Sequence, residues 1–170
     1  TMRPQERKGG LLRSPQLLFD ILARGQYAFP YDQMPMQMHS MDFKKRINLV
    51  KSGANLLYRR PKAWSMPLHM QFELTNYCNL SCPVCPAGTG TVRRKPQAMD
   101  VSLFQRVMEE VGPYLLTLSL WAWGEPLLHP RLYDILELLY PYDIITLLST
   151  NGQRLNDERV IQALATYPPT

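Results

Sequence analysis

The sequence predicts an α/β fold: a parallel sheet of about three strand–helix units, preceded by a basic helical segment. Three observations lead there. From residue 68 onward the apolar spacing alternates between strand-like and helix-like periods through three strand–helix pairs. Each switch falls at Gly, Pro, Asn or Asp, the residues that end helices and turn chains. The charge divides at the same place: residues 1–66 hold 12 Lys/Arg against 4 Asp/Glu, and residues 67–170 hold 7 against 10, so the basic pI belongs to the leading segment. Apolar residues make up 45% of the 170, enough for a core and against a disordered chain. No apolar run reaches the roughly 18 residues of a spanning helix, and the early apolar stretch Leu17–Leu22 is too short, and broken by Asp20, to read as a signal peptide.

Residues 1–41 read as a loosely ordered leader. Leu11–Leu22 suggests a short helix interrupted by Pro15, and 29–40, with two prolines and spaced methionines, suggests a linker or docking strip. Residues 42–66 read as a basic amphipathic helix and its connector. Phe43, Ile47, Val50, Ala54 and Leu57 step by four and three, giving one apolar stripe expected to pack on the following domain. Asp42 is placed to cap this helix and Pro61 to stop it. With its lysines and arginines, 42–60 also fits peripheral contact with a membrane surface.

Residues 67–170 carry the units. In 68–75, Met70, Phe72 and Leu74 alternate with Gln71, Glu73 and Thr75, a strand with one apolar face. Asp100 caps a helix to about Val111, ended by Gly112-Pro113. A second strand is expected over 115–123, a second helix around Leu132–Leu139 with Pro141 as its stop, a third strand over 144–150 closed by Asn151-Gly152, and a third helix from about Asn156. Strands alternating with helices imply parallel pairing through right-handed crossovers, and ligands in such sheets bind beyond the carboxyl ends of the strands.

All three cysteines, Cys78, Cys82 and Cys85, lie in the loop after the first strand, spaced C-x3-C-x2-C. An odd, clustered set speaks for a metal site in a reducing compartment rather than a disulfide framework. Thiolates suit iron–sulfur clusters and zinc alike. A zinc site needs a fourth ligand, for which His69 and His129 are the candidates. A three-thiolate iron–sulfur cluster would instead keep one iron open to a ligand.

The stretch "ELTNYCNLSCPVCPAG" closely resembles the first strand and cluster loop of radical S-adenosylmethionine (radical SAM) enzymes. "WGEPLLHP" (123–130) is similar to their second-strand motif, usually Gly-Gly-Glu-Pro, and "LLSTNG" (147–152) to the end of their third strand. The resemblance covers about residues 68–165, most like members that modify peptides or mature cofactors. It implies a partial (β/α) barrel, truncated to about the first three strand–helix units. It also implies a 4Fe–4S cluster on Cys78, Cys82 and Cys85, with S-adenosyl-L-methionine on the fourth iron. By the same resemblance Val84 lies against the adenine, where the family often has an aromatic residue. Gly124, Glu125 and Pro126 line the methionine end of the cofactor, with Glu125 near its amino group, and Ser149 and Asn151 face the pocket. Trp123 stands where the family usually has its first Gly, which puts the close approach of that loop in question. Trp121 and Trp123 read equally as core or pocket residues, and His129 as a helix cap rather than an acid or base.

The implied chemistry is reductive cleavage of S-adenosylmethionine to a 5′-deoxyadenosyl radical that takes hydrogen from a substrate, a peptide or cofactor precursor being favoured. The implied partners are that substrate and an electron donor such as a flavodoxin or ferredoxin, in the cytoplasm. A non-catalytic iron–sulfur or zinc module docked to a partner is the alternative. There is no strong nucleic-acid signal. The chain opens on Thr1 and shows three of the six units the resemblance implies, so it is expected to be part of a longer product and to turn over poorly alone.

Overall fold

The computed structural model describes residues 15–31, 34–38, 41–59, 61–91 and 93–169. They fall into two compact units, Thr1–Leu68 and His69–Thr170.

In the first unit, α1 (Pro15–Phe19) runs into one turn of π-helix, Asp20–Arg24. Within the described residues it begins at Pro15, and the expected portion Leu11–Ser14 lies outside them. Gly25 closes the turn at φ 67°, the left-handed conformation that glycine adopts without strain.

The stretch expected as a linker is an antiparallel hairpin, β1 (Tyr27–Tyr31) with β2 (Met34–Met38). Met38 sits opposite Tyr27 and Met36 opposite Phe29, and the two rings stack at 5.4 Å, so one face carries the apolar side chains. Pro30 pairs with Pro35, which confines both missing N–H donors to one rung.

The basic helix is α2 (Phe43–Tyr58), capped as expected by Asp42, whose carboxylate accepts from Lys44 N at 3.1 Å. It ends before Pro61, at Arg59 in the left-handed region. Its buried face is not the apolar stripe. Lys45, Asn48, Leu49 and Gly53 are buried, while Phe43 and Leu57 are 67% and 50% exposed. The cause is the connector, which doubles back along the polar flank. Asn48 accepts from Met66 N at 2.8 Å and donates to Met66 O at 3.1 Å, and Asn55 takes Trp64 N and Ser65 Oγ. The Asp20–Arg24 turn also packs on α2, so more than the apolar spacing sets the buried face.

The second unit is the expected parallel sheet, in the order β3 (His69–Gln71), β4 (Thr117–Ser119), β5 (Ile145–Leu147). Met70, Leu118 and Thr146 lie in register. The crossovers are α3 (Val101–Val111) and α4 (Leu132–Leu139), and α5 (Glu158–Thr166) follows β5. Asp100 caps α3 by accepting from Leu103 N at 2.9 Å, and Asp157 caps α5, two residues later than the predicted start. Phe72, Leu74, Phe104, Met108, Leu118, Leu120, Ile135 and Val160 fill the core, with Phe72 and Phe104 edge to face at 4.9 Å. The ladders are shorter than predicted because the chains part at their carboxyl ends. After Phe72 N–H bonds Ser119 O, Leu74 O instead accepts from Met99 N in the segment leading into α3.

Candidate metal and cofactor site

The site lies where the three strands end, and it is built on the backbone between Thr75 and Cys78. Residues 73–76 are bound to the return segment 94–99. Thr75 bridges Ala98 antiparallel, Asn76 exchanges hydrogen bonds with Lys95 and Gln97, and Glu73 pairs with both terminal nitrogens of Arg94 at 2.6 and 3.0 Å. The cysteine loop is therefore closed at its neck. Within it Cys85 N–H bonds Cys82 O at 3.2 Å. A Cβ on Gly88 would stand 2.5 and 2.6 Å from Cys82 N and O, so only glycine lets the loop fold this tightly on the middle cysteine.

The second loop is joined to that neck. Thr75 Oγ1 donates to Glu125 O at 2.7 Å, Glu125 N donates to Tyr77 O at 2.9 Å, and Tyr77 OH reaches Leu128 O at 3.3 Å. Gly124 lies directly on Thr75, where an added Cβ would fall 1.9 Å from the carbonyl oxygen. Pro126 follows as the first residue of a buried 3-10 turn, Pro126–Leu128.

Glu125 joins the second loop to the third. Its buried carboxylate accepts from Leu127 N (3.0 Å), Thr150 Oγ1 (2.6 Å) and Asn151 N (2.8 Å). Three donors within the protein hold both oxygens and fix the side chain between the second and third loops. Asn151 continues the chain of contacts. Its Oδ1 accepts from Gln153 N in a local turn, while its Nδ2 reaches Asn79 Oδ1 at 2.9 Å and Cys78 Sγ at 3.4 Å.

Cys78 Sγ also accepts from Leu80 N at 3.4 Å, and Cys85 Sγ lies 3.8 Å from Trp123 O. Cys82 is exposed and the other two are partly so, free thiols on one loop. Hydrogen bonds to the ligating sulfurs tune iron–sulfur sites. A single tetrahedral zinc needs its ligands within about 4 Å of one another, given Zn–S bonds of about 2.3 Å. Among the described residues no three His, Cys, Asp or Glu side chains converge in that way. A cubane places each thiolate on a different iron, and three cysteines on one loop can supply them.

Neither zinc candidate is available. His69 is at the start of β3, the opposite end of the sheet, with Nδ1 2.9 Å from Thr117 Oγ1. His129 is buried with both ring nitrogens engaged: Nδ1 accepts from Arg131 N at 3.1 Å, which leaves Nε2 to donate to Met99 O at 2.9 Å. It fastens the segment before α4 to the return segment and does not cap the helix as expected, since the N-cap is Arg131 with no side-chain cap bond. Burial, with Arg131's charge, holds its pKa below the usual value against the opposing effects of the Met99 hydrogen bond and Asp134. A histidine kept neutral in the fold contributes stability that is complete above about pH 6.5 and is lost as pH falls through the lowered folded value. Urea unfolding of the apo chain is expected to show stability falling from pH 7.5 to 5.5, and His129→Gln to flatten the slope. His69, which burial shifts the same way, contributes to the residual slope.

The remaining expected residues divide. Trp121 and Trp123 face solvent at 37% and 51% exposure, so neither is a core residue. Val84 is 93% exposed on the cysteine loop, and Ser149 is exposed beyond β5 without joining the contacts around Glu125. The sequence reading passed over Thr75, Gly88 and the Glu73–Arg94 pair. Gly88 alone had a local signal, as a glycine just past a metal-type cysteine set.

Residues 72–170 match the radical SAM superfamily, more than half the chain. The chain belongs to the radical SAM superfamily. Superfamily members work with a 4Fe–4S cluster and S-adenosylmethionine. Similar curated proteins include the mycofactocin maturase MftC of Mycobacterium ulcerans, 27% identical over 54% of this chain and 24% of that protein. The PqqA peptide cyclase of Gluconobacter oxydans is 29% identical over 59% and 27%. The tungsten-containing aldehyde ferredoxin oxidoreductase cofactor-modifying protein of Pyrococcus furiosus is 29% identical over 53% and 25%. The matched region spans about a quarter of the length of these relatives. Among solved structures, SuiB of Streptococcus suis bound to S-adenosylmethionine is 23% identical, with TM-score 0.53 over 72% of this chain and 27% of that one. BtrN in complex with AdoMet and 2-DOIA is 24% identical, with TM-score 0.52 over 61% and 43%. These two likenesses are of fold, and they agree with a radical SAM barrel represented here by its first three parallel strands.

Proposed function

We propose that this chain carries the cluster-binding part of an enzyme that cleaves S-adenosylmethionine reductively and uses the resulting 5′-deoxyadenosyl radical to take hydrogen from a peptide or cofactor precursor. The observation that supports this best is the joining of three strand ends around one loop of thiols, through Thr75, Glu125 and Asn151. The substrate class rests on the similar maturase, peptide cyclase and cofactor-modifying protein. When bound, a 4Fe–4S cluster supplies an open iron for the amino and carboxylate groups of S-adenosylmethionine and the electron that breaks a carbon–sulfur bond.

The residues of this chain have separate tasks in that reading. Cys78, Cys82 and Cys85 hold three irons. Leu80 N–H and the Asn151 amide orient the Cys78 sulfur. Gly124, Glu125 and Pro126 line the methionine end, with Glu125, held by Thr150 and Asn151, near its amino group. Val84 gives adenine an apolar contact. Ser149 and the exposed Trp121 and Trp123 border the space where cofactor and substrate meet. A flavodoxin or ferredoxin supplies electrons, in the reducing cytoplasm that free thiols require.

Anaerobic iron–sulfide reconstitution tests the reading. The chain is expected to take up about four irons and four sulfides, and the electron paramagnetic resonance signal of the reduced cluster is expected to change on adding S-adenosylmethionine. Formation of 5′-deoxyadenosine is expected to be slow, since the match spans a quarter of the relatives' length. A single zinc, or a cluster signal indifferent to S-adenosylmethionine, would overturn the proposal.

A further inference from the structure

The apolar stripe of α2 is the clearest feature that the cofactor site does not use. Phe43, Ile47, Val50, Ala54 and Leu57 form one face of the helix, yet the connector 61–68 is bound to a different face by Asn48 and Asn55. The three central residues are partly accessible, and the ends are open: Phe43 is 67% exposed, Leu57 50% and Tyr58 71%. Trp64, half exposed, meets Tyr58 edge to face at 6.3 Å and extends the apolar surface past the helix end.

The charges beside this surface are of one sign. Between Phe43 and Met66 the sequence has seven Lys/Arg and no Asp or Glu. Two of the seven are committed to the fold: Lys45 is buried, and Arg46 donates to Met41 O and Leu22 O. Lys44 and Lys51 are exposed, and being seven residues apart they form a row along the edge of the stripe, next to Ile47. Arg59 and Lys62 are exposed at the end that carries Tyr58 and Trp64. Lysine stems lie on apolar surface while their heads reach outward, and Trp and Tyr settle where an apolar phase meets a polar one.

We propose that this face of α2 lies on an anionic lipid bilayer, with Phe43, Leu57 and Trp64 in the acyl boundary and Lys44, Lys51, Arg59 and Lys62 on the headgroups. The apolar row decides between anionic partners. A nucleic acid would pair with the cations and leave Phe43 and Leu57 in water, whereas a bilayer takes both. Among the described residues no helix is long and apolar enough to cross a membrane, so the contact is peripheral.

The test is flotation of the intact 170-residue chain with vesicles of phosphatidylcholine alone and of phosphatidylcholine with phosphatidylserine. Binding is expected only with the anionic vesicles and is expected to weaken as salt rises. Replacing Lys44 and Lys51 by Gln is expected to weaken it about fivefold each, and Leu57→Ser about tenfold. Leu57 is half exposed, so far-ultraviolet circular dichroism should show that variant folded. The anionic vesicles should also shift tryptophan emission to the blue, and Trp64→Phe should remove the shift although Trp121 and Trp123 remain. Equal binding to neutral vesicles, binding to neither, or binding to anionic vesicles that Leu57→Ser leaves unchanged would overturn the proposal. So would polyuridylate affinity in place of vesicle affinity.

Discussion

Single replacement of Cys78, Cys82 or Cys85 by Ala is expected to lower reconstituted iron from about four per chain to below about one, with the fold intact. The three thiols are the only cysteines in the chain, so no other cysteine can substitute. Two remaining thiolates would hold one edge of a cubane and leave half of it to solvent. None of the three cysteines is buried, so their loss removes no core contact, and apo stability should change by less than about 0.5 kcal/mol. Cys78 is expected to be the least replaceable, because two N–H groups are aimed at its sulfur and only one weak contact at Cys85. Iron and sulfide analysis beside urea unfolding separates the two effects. Variants that keep a full cluster, or that unfold, would refute this account of the loop.

How much of this could be read from the sequence depended on how local the cause was. Strand, helix and cap signals in 68–170 act within a few residues, and Asp100, the parallel order and the placement of the motifs at strand ends all follow from them. The first unit was harder. Met34, Met36 and Met38 have the period of a strand, but the neighbouring prolines suggested a linker, and only the pairing of Pro30 with Pro35 shows how both fit one hairpin. The buried face of α2 was legible only after the connector had been seen to return, because the Asn48–Met66 and Asn55–Trp64 bonds join residues 18 and 9 apart. The partners of Glu125 were hidden for the same reason. Its motif marks a cofactor loop, but the donors to its carboxylate include Thr150 and Asn151, one strand away in space and 25 and 26 residues away in sequence.

Gly124→Ala is expected to be the most damaging change outside the cysteines. The new methyl would sit 1.9 Å from Thr75 O, 2.5 Å from its carbonyl carbon and 2.8 Å from its Oγ1, and the first two of these are backbone atoms. Thr75 cannot move aside, since it is buried and bridged to Ala98, with Asn76 fixed to Gln97 beside it. Relief requires the second loop to lift, which breaks the Thr75–Glu125 and Glu125–Tyr77 hydrogen bonds and draws the Glu125 carboxylate from Thr150 and Asn151. The cost is expected to be about 3 kcal/mol, a fall in Tm on the order of 15 °C for a unit of this size. Cluster loading should drop as well, because Asn151 then leaves Cys78. Two glycines serve as controls. Gly90→Ala meets no atom within 4 Å and carries only the strain of φ 68°, so its loss should be about 1 kcal/mol. Gly88→Ala strikes Cys82 in an exposed loop and should reduce iron uptake with less effect on Tm. The same geometry explains how Trp123 can stand where the family's usual motif has its first glycine. Its side chain projects into solvent and its N–H lies 3.4 Å from Glu73 Oε1, so the close approach between loop and strand falls to Gly124, and a bulky neighbour is tolerated. Trp123→Gly should therefore leave Tm nearly unchanged, and a large loss from it would place the close contact at the wrong residue.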